Sequence, residues 1–336
     1  MILRLLMFVC CCTGLLIAII SMTLPPPYRP LLPANFTYSR FNKLNETISL
    51  PGPTVHSILE EVEWIEDLSQ EDEPVCNNSD PFILAVVPSA LHHFTERNRI
   101  RDTWANPSLY PFTRIRALFV LGATDNFILQ DQIFQEMDIN HDIIQNTFFD
   151  TYRNLTYKSI SWLSWVRDFC PDTPFIVKVD DDLVVNPFHL VAYLQEEIHK
   201  DSAPAKIHGR FWKRAKPHRN GKWAVTEEEY PEEIFPPFVL GPAYILGRNA
   251  VDRLLAYISH TPFLWLEDVY ITGLVAHAAG IKHVQVDKVL YTKKLTKKLY
   301  SGQQVFYIDA SEKNKAVSWA KILKYAHVQK RSKAKK

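Results

Sequence analysis

From residue 82 onward the chain alternates short, wholly apolar runs with longer stretches whose apolar residues recur at helical spacing. FILAVVPSA (82–90) is bounded by proline and reads as a buried parallel strand; FTERNRIRDTWAN after it reads as a helix with Thr95 as its N-cap. IRALFVLGA (115–123) predicts the next strand and FILQDQIFQEMDI (127–139) the next helix. NLTYKSISWLSWVRDF (154–169) is an amphipathic helix stopped by CPDTP, and FIVKVD (175–180) is a third buried strand. Strands alternating with helices predict an α/β fold, a mainly parallel sheet with helices on both faces. Ligands of such sheets sit beyond the carboxyl ends of the strands, which is where Asp180, Asp181 and Asp182 fall.

The first 80 residues follow a different pattern. Leu5 to Leu24 form an uncharged run of about the length, roughly 20 residues, that a helix needs to cross a bilayer. It is too long for a cleaved signal peptide, and no small-x-small site follows it before PPPYRP. The expected layout is a cytosolic N-terminus (1–4), a signal anchor (5–24), a lumenal stem (25–80) rich in Pro, Asn, Ser and acids, one folded domain (81–328) and a disordered basic tail (329–336). Within the stem a short helix is expected around 58–68, and no internal repeat is present. Asn35, Asn45, Asn77 and Asn154 fit the N-glycosylation acceptor pattern, in keeping with a lumenal location. Cys10, Cys11 and Cys12 lie in the anchor, leaving Cys76 and Cys170, for which an oxidising lumen permits a disulfide.

Composition adds little to this outline. With 336 residues, 47% hydrophobic and 22% charged, the chain can bury a sizeable core, and a formal charge of +1 gives no support to a nucleic-acid partner.

The chemistry is carried by acids. Three carboxylates at a strand end repel one another unless a counter-charge is near, and hard cations such as Mn²⁺ or Mg²⁺ take oxygen ligands and share their shell with phosphate and water. In an extended segment Asp180 and Asp182 share a side and form the natural metal pair, with Asp181 turned away. A second acidic pair, Glu267 and Asp268, opens the apparent helix WLEDVYITGLVAHAAG; it fits either a helix N-terminus or a partly buried general base. Arg97 and Arg101, four apart, share a helix face that is either solvated or close to a bound phosphate. His92 and His93 read as a surface loop pair. No GxxxxGK[ST], HExxH, GxSxG or CxxC pattern occurs, which removes the usual support for kinase, zinc-protease, serine-hydrolase and redox readings.

Four motifs in order, RNRIRDTW (97–104), FFDTYRNLTYK (148–158), KVDDD (178–182) and EDVYITG (267–273), resemble the β1,3-galactosyltransferase and β1,3-N-acetylglucosaminyltransferase family over about residues 82–290. The resemblance implies the glycosyltransferase-A fold, a Rossmann-like nucleotide-sugar-binding architecture, in a type II Golgi membrane enzyme. It also implies an inverting β1,3 transfer of galactose or N-acetylhexosamine, from a UDP-sugar to a hydroxyl of a glycoprotein or glycolipid glycan. On that pattern Asp182 and Asp180 hold Mn²⁺, and Lys178, Asp180, Asp181, Arg97 and Arg101 serve the donor. Asp268, beside Glu267, deprotonates the acceptor.

The chain departs from the pattern in places. The family's PPYCSGGGYVLS is here PPFVLGPAYILG (236–247), with Val239 at the usual Cys and Pro242 at a Gly; the Cys that often follows EDVYxG is also missing, as if one disulfide were dropped as a unit. Where the family often carries a metal-site histidine, QVFYIDAS (304–311) places Phe306, Tyr307 or Ile308. That substitution motivates an alternative from another class, a catalytically silent member acting as a lumenal binding partner or chaperone.

Overall fold

The computed structural model describes residues 75–76, 81–109, 115–200, 205–286, 297–301, 304–308 and 311–333. The expected anchor, nearly all of the stem, and Asn35, Asn45 and Asn77 lie outside the described residues. Among the described residues no helix is long and apolar enough to cross a membrane.

A seven-stranded sheet organises the domain in the order β3-β2-β1-β4-β7-β6-β8. Its strands are β1 (Ile83–Pro88), β2 (Ile115–Ala123), β3 (Ile143–Phe149), β4 (Phe175–Val179), β6 (Lys206–Trp212), β7 (Phe238–Gly247) and β8 (Lys282–Gln285). The pairings β1–β2, β1–β4, β2–β3 and β6–β8 are parallel, whereas β7 runs antiparallel between β4 and β6. The parallel half matches expectation, and the antiparallel insertion is an addition to it. A small second sheet pairs β5 (Leu183–Val185) with β9 (Phe306–Ile308), setting Leu183 opposite Ile308.

Both faces of the sheet are buried, so β1 is apolar at every position. One face sets Leu84, Val86, Val120 and Ile176 against α3 (Leu155–Phe169), α5 (Arg248–Ile258) and α6. The opposite face sets Ile83, Val87, Phe119 and Val177 against α1 (Phe94–Asp102), α2 (Phe127–Asn140) and α4 (Pro187–Lys200). Helix α6 is α-helical over Glu267–Val269, π-helical over Tyr270–Val275 and α-helical again over Ala276–Ala278. Two further helices follow, α7 (Lys297–Tyr300) and α8 (Glu312–Lys333), so the segment expected as a basic tail from 329 is helical as far as Lys333.

Local chemistry explains the remaining boundaries. Helix α2 begins where the Asn126 side chain accepts from Leu129 N at 3.1 Å. Helix α1 begins one residue after His93, so Thr95 lies in its first turn and is not its cap. Strand β3 was missed from sequence because Gln145 and Asn146 interrupt its apolar run; Gln145 is buried and Nε2 donates to Gly122 O at 2.9 Å. Cys76 and Cys170 form a disulfide with Cα atoms 5.4 Å apart, joining the chain ahead of β1 to the end of α3.

Candidate functional site

The sheet order reverses direction at β1, whose neighbours β2 and β4 lie on opposite sides, and the carboxyl ends of β1 and β4 therefore open a crevice. Ser89 follows β1 and the three aspartates follow β4. Ser89 Oγ donates to Asp181 Oδ2 at 2.7 Å across that crevice, and His93 Nδ1 lies 2.8 Å from the same oxygen. Asp181 is thus locked and only 7% exposed. Its backbone carbonyl accepts from Arg99, whose other arm meets Glu312 of α8. A tight turn, with Leu183 N donating to Asp180 O at 3.3 Å, leaves Asp182 exposed and Asp180 partly exposed. Asp181 faces Ser89 and His93, but the segment turns after Asp180 instead of staying extended, and the Asp181 charge still acts on Asp182. His93 is not the free surface residue expected of it.

Asp180 is joined to the second acidic stretch through one lysine. Lys178 Nζ donates to Asp180 Oδ1 at 2.5 Å and to Gly241 O at 2.6 Å, while Gly241 N donates to Asp268 Oδ2 at 3.0 Å. Antiparallel β7 makes this possible, since Asp180 N also donates to Pro242 O at 2.9 Å. A Cβ at residue 241 would stand 3.3 Å from Asp268 Oδ2, so glycine lets the backbone and the carboxylate approach closely. The other carboxylate oxygen of Asp268 accepts from Val269 N at 2.9 Å. Glu267 is held differently: one oxygen takes both the Ser159 hydroxyl and the Tyr244 hydroxyl at 2.7 Å. The π-helical turn that follows lets Thr272 Oγ1 accept from Val239 N at 2.8 Å, fastening α6 to β7 where neither expected Cys is present, while its own proton goes to Asp268 O at 2.5 Å.

These surroundings set the titration of the acids. Burial pushes Asp268 up to about 6, and the Glu267 charge adds to it. Burial likewise pushes Asp180 up to about 6 against the opposing charge of Lys178. Although the outer edge of Asp182 is exposed, the protein packed around its carboxylate desolvates it and raises it, Asp181 adds to this, and Lys315 of α8 pulls it down. Lys315 is itself 4% exposed and donates to Glu312 at 2.7 Å.

Arg97 and Arg101 require a correction. Arg97 is fully buried; Nε and Nη2 grip Glu136 at 2.6 to 3.0 Å, and the remaining donors go to Ser89 Oγ, Ala90 O and Leu91 O. Arg101 is spent on Asp142 at 2.7 and 2.8 Å, Glu136 and Asn98. Every donor of Arg97 and four of the five of Arg101 are thereby committed to bolting α1 to α2 and Asp142, so Arg97 has none left for a phosphate. Arg97 reaches the crevice only through Ser89. Lys178, expected to serve a donor, spends its ammonium on the Asp180–Gly241 bridge. Sequence reasoning missed Ser89, Arg99, Ser159, Tyr244 and Lys315, since serine, tyrosine and lone basic residues carry no spacing signal. At the fourth acceptor pattern, Asn154 Nδ2 donates to Phe149 O at 2.8 Å and Thr156 is fully buried.

Among the described residues no group of three or more His, Cys, Asp or Glu side chains is arranged to hold a metal ion. Asp180, partly exposed and with Oδ1 on Lys178, and the exposed Asp182 offer oxygen ligands only. That set fits a hard divalent ion that completes its shell with substrate phosphate and water, and it does not fit a closed structural site.

The fold is a mixed α/β sheet, mostly parallel, with carboxylates beyond the end of β4. The chain belongs to the galactosyltransferase family, whose model matches residues 95–287. It is 32% identical over 210 residues to Beta-1,3-galactosyltransferase 5 of Homo sapiens, covering 62% of this chain and 66% of that relative. It is 31% identical over 212 residues to Beta-1,3-galactosyltransferase 1 of Mus musculus, covering 62% of this chain and 64% of the relative. The match thus spans about two thirds of the length of those proteins. A solved glycosyltransferase involved in the glycosylation of the major capsid of PBCV-1 aligns at 10% identity and a TM-score of 0.35 over 69% of this chain and 97% of its own, a likeness too low to bear on the fold.

Proposed function

We propose that the chain is an inverting β1,3-hexosyltransferase that moves galactose or N-acetylhexosamine from a UDP-sugar to a hydroxyl of a glycan on protein or lipid. The observation that carries this reading is the Asp180–Lys178–Gly241–Asp268 bridge, which holds an acid of the nucleotide crevice and a second, partly buried acid in one site. Names of the relatives support the linkage and the galactosyl class.

In this mechanism Asp268 is the general base. Two backbone N–H groups fix its carboxylate, so the acceptor hydroxyl meets a preset proton acceptor. The acceptor oxygen bonds to the anomeric carbon as the bond from that carbon to the diphosphate oxygen breaks; the hydroxyl proton passes to Asp268, and UDP leaves with the electron pair. One displacement inverts the anomeric centre. Asp180 and Asp182 would hold Mn²⁺, or Mg²⁺ in its place, and the ion would supply neutralisation of the charge growing on the diphosphate. Glu267, tied to two hydroxyls, positions the turn that carries Asp268. Asp181, tied to Ser89, sets the loop that carries its neighbours.

By the same reading the domain is lumenal in the Golgi, borne on the 5–24 anchor, with the glycan acceptor and UDP-sugar as its partners and no nucleic acid. The silent-partner alternative gains no observation of its own, since both acidic stretches are intact. The test is a panel of UDP-sugars with Mn²⁺ and glycan acceptors, reading UDP release from wild type and Asp182→Ala. Release that depends on metal and is lost in the variant is expected; no release from any sugar, or full release in the variant, sinks the assignment.

A further inference from the structure

Apart from the acids of the β4 loop, a cavity of about 250 Å³ lies between the start of α3 and the segment leading into α6. Its walls are aromatic. Tyr157 stacks on Phe263 with centroids 4.8 Å apart, and Trp265 meets Tyr152 edge-on at 6.3 Å. At the mouth the Arg153 guanidinium lies 4.5 Å over the Trp265 ring. Arg153 also stands 3.8 Å from Glu229, beyond direct hydrogen-bond reach, with side chains 64% and 36% exposed. Trp265 is 6% exposed and its buried indole N–H finds no partner among the described residues. Thr156 Oγ1 pins Leu264 O at 2.9 Å, and the Trp223 indole N–H donates to the Tyr152 hydroxyl at 3.0 Å, drawing the 213–237 loop over the start of α3.

An occupant must offer a flat apolar face to the rings and hydroxyls to the rim. A pyranose does both: its C–H face suits aromatic walls, and Arg153 with Glu229 offers paired donors and acceptors. The volume falls below the roughly 300 to 1,000 Å³ of sites for larger ligands, so a whole nucleotide-sugar does not fit. Arg153 and Glu229, the charged residues of the lining, offset one another, and Lys222 lies outside over Tyr152, so the lining itself favours an uncharged ring. Trp265 lies three residues before Asp268, and so its Cα is at most about 11 Å away along the chain.

We infer that this cavity holds an uncharged pyranose ring of the acceptor glycan, an inference that rests on the transferase reading above. Its test uses the full chain in detergent, without donor or metal, and saturation-transfer NMR with methyl β-galactoside, methyl β-N-acetylglucosaminide and methyl β-N-acetylgalactosaminide. At least one glycoside binds saturably, and Arg153→Ala, on the surface, and Trp265→Phe, which keeps an aromatic wall, each weaken it about tenfold, the worth of one charged or aromatic contact. Failure of all three glycosides to bind, or wild-type affinity in both variants, overturns the subsite. UDP release is read separately: glycoside binding that is intact without release from any UDP-sugar overturns the transferase reading and leaves the subsite standing.

Discussion

The two acidic stretches, 180–182 and 267–268, solve one problem on different foundations. In each, one acid is locked by a serine hydroxyl at 2.7 Å, Asp181 by Ser89 and Glu267 by Ser159, while a neighbour keeps capacity to spare. The first stretch sits on a turn between β4 and β5 and leans on α8 through Arg99 and Glu312. The second is built into the π-interrupted start of α6, inside the main core. On the proposed reading, the contrast separates acids that position from acids that would react.

The largest expected effect tests that separation within one turn. Asp268→Asn keeps an acceptor for Gly241 N, gives up the one for Val269 N and cannot take a proton, so kcat falls by about 10² to 10⁴-fold, and a melting curve gauges the lost backbone bond separately. Glu267→Gln still accepts both hydroxyls through its carbonyl and loses about tenfold or less. Equal losses in the two variants would erase the distinction between them.

Next comes the support behind the first stretch. Arg97→Met strands Glu136 with half its charge partners and frees Ser89, and breaking a buried pair in this way costs about 3 to 5 kcal/mol. Urea unfolding measures it, and Arg97→Lys recovers little because an ammonium cannot supply the five-fold fork. A variant as stable as wild type, but with weakened UDP affinity, would return Arg97 to the donor-binding part the sequence suggested.

That reversal shows where legibility ended. Strands β1, β2 and β4 were readable because they are buried and almost wholly apolar, whereas parallel β3, interrupted by Gln145 and Asn146, was not. The two acidic stretches were readable because carboxylates between apolar residues are costly without a use. Arg97 and Arg101 were placed correctly on one helix face, yet their partners Glu136 and Asp142 come from distant segments that no local pattern links to them. Antiparallel β7 is a long-range pairing too, and without it Gly241 would not join Asp180 to Asp268. Lys315 lies 133 residues after Asp182 by their numbers, and only the folded α8 brings its charge to bear.

The pH response sharpens the comparison more gently. Asp268 is pushed up to about 6, so below that pH it carries a proton and cannot act as base. Turnover should drop roughly tenfold per pH unit below about 6 and level off above it. Stability runs the other way: a folded pKa above the ordinary 3.8 contributes stability below that value, and the contribution is lost as pH rises through about 6. Thermal melts of wild type and Asp268→Asn should therefore diverge in favour of the variant as pH climbs from 4 to 7. An acid limb that keeps its midpoint in the residual activity of Asp268→Asn would assign the titration elsewhere.

The smallest effect probes why the first stretch leans on α8. Lys315 holds a positive charge near Asp182, and Glu312 partly neutralises that charge at 2.7 Å while also gripping Arg99. A cation arriving at Asp180 and Asp182 meets the field of Lys315 as repulsion. Removing that charge in Lys315→Met should tighten Mn²⁺ binding by a few-fold in a titration without nucleotide, because charges near a protein surface interact by about 1 to 4 kcal/mol at 4 Å and less when farther apart. Glu312→Gln unmasks the same lysine and should loosen Mn²⁺ by a similar factor, both shifts shrinking as salt is raised. The opposite signs are the useful part: two variants moving together would mean that α8 acts on the loop by packing, through the Arg99 link to the Asp181 carbonyl, and not by charge.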